Sequence, residues 1–356
     1  MYIKNIELTN FRNYEHQKIE FINGINLFVG NNANGKTNII ESIYLSALGK
    51  SYRVVKDNEI VMFDKDYARI NLNYSKFDVS KNIDVYIDSY GRKSLKQDGI
   101  KVKKLSDHVG ELPIVIFSPD SLDIIKGAPS KRRNFIDMIC SQLSKSYYIN
   151  LQEYMKCLKL KNNLLKKDNS DRNYIRILNE KMATYIFNIV KYRNEVLKKI
   201  LERAKIIQRN LTDSKENINI AYITEFLDIS VEDIKKILDL HLDIEIMRRS
   251  SVKGIQRDDF TVYINDLEVS KYGSQGQSRT ALLTLKLADF ELLKDEKDDV
   301  PILLLDDIMS ELDGNRIKFL LDYISKYQSI VTTTDAFFAK QAKNIKIYDV
   351  KNGKIN

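Results

Sequence analysis

The chain has 356 residues, 43% hydrophobic and 30% charged, the balance of a soluble globular protein of one to three domains with ample length to bury a core. No apolar run approaches a membrane span, since the longest, "VPILLLDDI", is cut by two aspartates, and the opening "MYIKNIELTNF" lacks the basic start and apolar stretch of a secretory signal. A net charge of +8 and a pI near 9.0 favour an anionic partner such as nucleic acid.

From the N-terminus, "YIKNIELTNF" and "HQKIEFI" alternate apolar and polar residues as half-buried strands do, and "INLFVG" is the continuous apolar run of a buried strand. A helix is predicted over "KTNIIESIYLSAL", stopped by Gly49. Strand texture returns between residues 66 and 116 in "YARINLNY", "NIDVYID" and "LPIVIF", with turn chemistry at "SYGR" and "QDG". From about 130 to 245 proline disappears and the spacing becomes helical. Phe135, Ile139, Leu143, Tyr147, Leu151, Tyr154 and Leu158 recur at steps of three and four, as do Leu178, Met182, Ile186, Ile189, Leu197, Ile200 and Ala204 beyond the polar break "KKDNSDRN". Two long antiparallel helices projecting from a body are expected. "SVEDIKKILDL" begins another helix, capped by Ser230. Cys140 and Cys157 have no metal-ligand spacing and read as reduced thiols.

Strands resume at "DDFTVYIND"; a helix opening at "SQGQSRT", a buried strand "VPILLLDD", a helix near 314–327 and strands "SIVTTTD" and "IKIYDV" complete the chain. The expected fold is α/β with mixed sheets. A head is formed by residues 1–125 and 246–356, and a helical arm, residues 126–245, is inserted between its halves.

"GNNANGKT", Gly30 to Thr37, satisfies G-x-x-x-x-G-K-[ST] between an apolar strand and a helix, the context in which that pattern cradles phosphates. Gly30 and Gly35 let the loop through Asn31, Asn32, Ala33 and Asn34 turn its N–H groups toward a phosphate chain. The helix that begins at Lys36 adds its positive end, with Asn38 in its first turn. Lys36 would reach the β- and γ-phosphates of ATP, and the Thr37 hydroxyl would meet Mg²⁺. "ILLLDD" supplies the acidic partner: Asp306 to hold Mg²⁺ through water, Asp307 to orient or deprotonate an attacking water.

The order of these motifs, with S-x-G-Q at a helix start about 30 residues before the acidic strand and "SELD" just after it, resembles the ATP-binding-cassette class of ATPases. That resemblance makes Ser274, Gln275, Gly276 and Gln277 the signature motif, which covers the γ-phosphate bound by another subunit, and Ser310 and Asp313 part of the D-loop. A serine hydroxyl, a glycine amide and a helix N-terminus together make a second anion site, so ATP would join two copies of the chain.

Narrower features follow. "LTNFRNY", which places Arg12 beside the nucleotide, resembles the SMC-like DNA-repair branch, and the helical insert is far shorter than SMC heptad arms. "FSPDSLDIIKGAPSKRRNFID" (117–137), "GIQRDDFTVYIND" and "YGSQGQSR" resemble the RecF family, over essentially the whole chain. Membership implies a cytoplasmic, weak, DNA-stimulated ATPase of repair, recombination, replication and the SOS response, with no membrane partner. It would dimerise on ATP, bind duplex, gapped and single-stranded DNA, and help RecO and RecR load recombinase. Asp307 stands where transporter subunits carry glutamate and Thr334 where they carry histidine, and no Q-loop glutamine is assigned, so slow turnover acting as a timer is expected.

DNA contacts are expected from Lys101, Lys103 and Lys104, which alternate as on an edge strand, and from Arg248 and Arg249, with Lys253 nearby. Lys131, Arg132 and Arg133 join them, at a helix start where the dipole disfavours cations. Backbone-phosphate binding is the expected mode. Two other readings stay open: a transporter nucleotide-binding subunit, and a scaffold that binds ATP without hydrolysing it.

Overall fold

The computed structural model describes residues 1–168, 171–335 and 344–355. The chain divides into two compact units, Met1–Ser121 with Asp289–Asn356, and Leu122–Ala288.

The first unit begins with β1 (Tyr2–Phe11), β2 (Tyr14–Glu20), β3 (Ile25–Val29) and α1 (Lys36–Leu48). It continues through β4 (Tyr67–Lys76), β5 (Val79–Asp88), β6 (Lys93–Gln97), β7 (Ile100–Lys101) and β8 (Ile114–Phe117). The second unit holds α2 (Asp123–Lys126), α3 (Pro129–Leu143), α4 (Lys145–Leu165), α5 (Arg172–Leu211), β9 (Ile218–Ile223), α6 (Val231–Leu240) and α7 (Leu242–Arg248). It goes on with β10 (Asp259–Ile264), β11 (Leu267–Glu268), α8 (Val269–Tyr272) and the first part of α9 (Gln275–Lys297). The chain returns to the first unit for β12 (Ile302–Asp306), α10 (Gly314–Ile324), β13 (Ser329–Thr333), β14 (Ile345–Lys351) and β15 (Lys354–Ile355).

Two six-stranded sheets build the first unit, in the orders β2-β1-β4-β5-β6-β7 and β15-β14-β3-β13-β12-β8. The first is antiparallel, and β1 buries Ile3, Ile6, Leu8 and Phe11 between half-buried positions, its period shifted by a bulge between Ile3 and Asn5. In the second, β14, β3, β13, β12 and β8 run parallel, which is why "INLFV" and "ILLLD" are apolar without alternation. The "QDG" turn between β6 and β7 has Asp98 and Gly99 both at positive φ, 49° and 80°, the geometry of a tight hairpin. α1 ends as the sequence predicts: Gly49 adopts φ 69° and its amide reaches the Leu45 carbonyl at 2.8 Å.

The second unit departs from expectation in one helix. The predicted helix through residues 135–158 is broken at Ser144, whose backbone is extended and whose hydroxyl accepts the Tyr147 amide at 3.1 Å. That cap restarts the helix as α4 while the apolar period continues across the break, so spacing alone conceals it. Grouped by contacts, the chain divides at 121/122 and 288/289, beside the 125/126 and 245/246 expected for the arm. β10 pairs with β9 along its whole length, from Asp259 opposite Ile223 to Ile264 opposite Ile218, and this ties residues 246–288 to the helical unit rather than to the head. α5, a 40-residue helix capped by Asp171, packs along α4 as the antiparallel pair required.

Buried charge is neutralised inside this unit. Arg193, 1% exposed, donates to Asp137 Oδ1 at 2.8 and 2.9 Å and to Asp258 Oδ2 at 3.0 Å. Lys161 and Glu245, both fully buried, pair at 2.7 Å, and Lys161 also donates to Asn179. Cys140 and Cys157 are buried and unbridged. Among the described residues no helix is long and apolar enough to cross a membrane.

Candidate nucleotide-binding site

The Gly30–Thr37 loop leaves the end of β3 and enters α1, as its sequence context requires. Both glycines are demanded by crowding. A Cβ on Gly30 would lie 2.3 Å from the Val350 carbonyl oxygen, and one on Gly35, at φ 108°, would lie 2.5 Å from Asn13 Nδ2. Ala33 also takes a left-handed φ of 68°. Asn31, Asn32 and Ala33 are exposed, and α1 has neither a side-chain cap nor an acidic residue in its first turn. Its N-terminus thus carries no side-chain acceptor and no acid to offset the helix dipole, a condition for anion binding.

The loop is fixed from behind. Asn13 Nδ2 donates to the Asn34 carbonyl at 3.1 Å, and its Oδ1 accepts from Asn38 at 2.8 Å. Tyr14 OH donates to the Gly35 carbonyl at 3.1 Å, and Asn34 Nδ2 to the Val350 carbonyl, also at 3.1 Å. Lys36 folds over the loop, its Nζ donating to the carbonyls of Gly30 at 2.6 Å and Asn31 at 2.9 Å. Burial lowers its affinity for the proton, opposed by the negative charges of Asp307 and Asp306.

The acidic strand meets the loop directly. Thr37 Oγ1 donates to Asp306 Oδ1 at 2.9 Å, Thr332 Oγ1 to the same oxygen at 2.8 Å, and Tyr52 OH to Oδ2 at 3.1 Å. Asp306 ends β12 and is 4% exposed. Asp307 follows at φ 50°, its amide bonded to the Thr332 carbonyl at 3.2 Å and hydroxyl at 3.1 Å. Thr334 lies just past β13, exposed.

Arg12 is not directed at the loop in this structure. Its guanidinium is bidentate on the buried Glu41, at 2.9 and 2.7 Å, and also donates to the Glu59 carbonyl at 2.6 Å. Asn13, Tyr14, Glu41, Tyr52 and Thr332 were not anticipated from sequence. The first two lie inside the quoted "NFRNY" but carry no spacing rule, and the others are common residue types with no motif around them.

In the second unit, Ser274 and Gln277 form a reciprocal cap at the start of α9: Ser274 Oγ accepts the Gln277 amide at 3.1 Å, and Gln277 Oε1 accepts the Ser274 amide at 3.0 Å. Gln277 Nε2 donates to Glu216 at 3.1 Å. Ser274 and Gln275 are exposed, and Gly276 is half-buried between them and the helix body. In the first unit, Asp313 caps α10 through the Arg316 amide at 3.0 Å and pairs with the Arg316 guanidinium. Ser310 lies in the short turn Ile308–Glu311, and its side chain is outside the described residues.

The cations expected at DNA divide into two groups. Lys101, Lys103, Lys104 and Arg248 are exposed, with Lys101 on the sheet-edge strand β7. The others have partners within their unit: Lys131 with Asp123 at 3.3 Å, Arg249 with Asp168 at 2.9 Å and Lys253 with Glu225 at 2.6 Å. Arg132 is bidentate on Asp259 at 2.6 and 2.8 Å, and Arg133 donates to the Asp258 carbonyl at 2.9 Å. These two hold Asp258 and Asp259 of the "RDD" segment against α3, which is why a helix start tolerates them.

The family described as RecF/RecN/SMC N terminal domain matches residues 2–356. The DNA replication and repair protein RecF of Clostridium novyi (strain NT) is 40% identical over 360 residues, covering 100% of both chains, and that of Clostridium kluyveri is 42% identical over 364 residues, again covering both completely. The chain belongs to the RecF family. The solved structure of the recombination mediator protein RecF-ATP in the RecFOR pathway superposes with a TM-score of 0.90 at 34% identity, covering 100% of this chain and 97% of that one. An Smc head domain from Pyrococcus furiosus, 18% identical with a TM-score of 0.59 and covering 100% of this chain and 95% of that one, shares the fold. The architecture is thus the ATP-binding-cassette head of the RecF and SMC proteins, with mixed sheets and an inserted helical segment.

Proposed function

We propose that this chain is an ATP-dependent DNA-binding switch of recombinational repair and replication. It would be a weak, DNA-stimulated ATPase that dimerises on ATP, recognises gapped or junction DNA in the cytoplasm, and helps RecO and RecR load recombinase on single strands. The observation that carries this reading is the 2.9 Å hydrogen bond from Thr37 to Asp306, which joins two motifs 269 residues apart into one site. Its weight comes from a RecF relationship that runs the full length of the chain.

An entering phosphate chain would draw Lys36 Nζ from its two neutral carbonyl partners to a charged one, the stronger bond. The Thr37 hydroxyl and the Asp306 carboxylate fit Mg²⁺, being oxygen donors too few to strip its waters; once bound, the ion would offset phosphate charge. Asp307 would orient the attacking water and take its proton. Its short side chain, with Thr334 in place of a histidine, supports slow turnover. The Ser274 hydroxyl, whose oxygen already accepts the Gln277 amide, keeps its own proton to donate. With the Gly276 amide at the α9 N-terminus, it would close over the γ-phosphate held by a second copy.

Sedimentation or size exclusion tests this. A dimer with MgATP and a monomer without it are expected, and Ser274→Arg should abolish the dimer while the monomer still binds nucleotide. A monomer under both conditions would refute the shared site. Gapped DNA should raise the ATPase rate, and DNA affinity should fall steeply with salt.

A further inference from the structure

Three consecutive side chains after α1 turn toward the nucleotide site. Ser51 Oγ donates to Glu41 at 2.6 Å, and Arg53 Nη1 donates to Asn38 Oδ1 at 2.8 Å and to Glu41 at 3.2 Å. Between them, Tyr52 OH donates to Asp306 Oδ2 at 3.1 Å. The segment is braced for this. Ser51 Oγ accepts the amides of Arg53 at 2.9 Å and Val54 at 3.2 Å, and the Tyr52 ring stands edge-on to Tyr44 with centroids 5.0 Å apart.

The other two hydroxyls on Asp306, from Thr37 and Thr332, both reach Oδ1. Two hydroxyls on one oxygen leave the other unheld, and because the terminal torsion of aspartate is broad, the carboxylate can still rock about its Cβ–Cγ bond within hydrogen-bond tolerance or exchange the oxygen it offers them. A donor on Oδ2 removes that freedom. We propose that Tyr52 is a positioning residue for the metal-holding carboxylate: its hydroxyl sets the plane of Asp306, so that the group stands ready for Mg²⁺ beside Thr37. This rests on the reading of Asp306 as the Mg²⁺-holding acid.

Tyr52→Phe keeps the ring on Tyr44 and leaves the Ser51 and Arg53 anchors, so only the hydroxyl is lost. The test is equilibrium dialysis of labelled ATP against the full-length protein, first in EDTA and then across a MgCl₂ titration. Expected is an unchanged ATP affinity in EDTA and a rise of about tenfold in the MgCl₂ concentration giving half-maximal enhancement, the low end for a partner lying behind a metal ligand. Thr332→Val, which removes a donor from Oδ1 without touching the 51–53 segment, should raise the same midpoint. An unchanged midpoint in Tyr52→Phe overturns the proposal. So does a loss of ATP affinity already in EDTA, which would make the hydroxyl a tether for the segment instead. If ATP binding to the unaltered protein ignores MgCl₂, the metal reading of Asp306 fails, and the role of Tyr52 falls with it.

Discussion

The second unit encloses Arg193 between Asp137 and Asp258, and Lys161 against Glu245, whereas the first encloses Lys36 among backbone carbonyls and Asp306 among hydroxyls. Among the described residues neither Lys36 nor Asp306 takes part in an ion pair. The first unit also buries Glu41 against Arg12 and Arg53, so the contrast belongs to Lys36 and Asp306 alone, two buried charges held by neutral partners. A buried charge left with only dipoles is tolerable when the group sits at the rim of a loop that still meets water. Deep in a helical unit it requires a counter-charge.

The largest way to break that contrast is Arg193→Met. It strands Asp137 and Asp258, so the unfolding free energy of the full chain should fall by about 3–5 kcal/mol in urea titration, nucleotide absent. A loss under about 1 kcal/mol would mean the cluster is wetter than its burial indicates. Next is Gly35→Ala. A side chain at φ 108° that also meets Asn13 should cost about 1–3 kcal/mol and should remove most ATP binding, because the loop must shift. Retained ATP affinity would show that the loop is not held in its binding shape.

The smallest effect concerns pH. His108 is fully buried, with Nε2 donating to the Ser46 carbonyl at 2.7 Å, and burial lowers its pKa below the ordinary value, only partly opposed by that bond and by Glu111. The unfolded chain then binds the extra proton first. Stability is fully present above about pH 6.5 and is lost as pH falls from there toward the lowered value, with a slope of at most about 1.4 kcal/mol per pH unit. His108→Gln should flatten this part of the pH profile of urea unfolding. An unchanged profile would assign the slope to other groups.

Chemistry that fixes residue types at set offsets could be read from the sequence. The phosphate loop needs glycine where the backbone crowds Val350 and Asn13, and lysine and threonine at the helix start, so "GNNANGKT" declared itself. The acid-ended apolar strand, the Gly49 stop and the Ser230 cap were legible for the same reason. Interactions made at long range were not. Arg132 and Asp259 are 127 residues apart and Tyr52 and Asp306 are 254 apart, and nothing local announces either pairing. The Ser144 break was hidden because its cap restarts the helix with the apolar stripe in phase. The contact grouping of 246–288 with the helices could not be read from sequence, because the partner of β10 is a strand, β9, lying within a stretch whose prevailing period is helical.

The central claim is that Lys36 and Asp306 are buried in readiness for a nucleotide, and ligand-linked unfolding tests it most directly. The unaltered protein and Lys36→Met should unfold within about 1 kcal/mol of each other without ligand, since the lysine bonds only to neutral carbonyls. With MgATP at a hundred times its Kd, the unaltered protein should gain about 2.7 kcal/mol and Lys36→Met essentially nothing. Equal gains in both proteins, or no gain in either, would contradict the account.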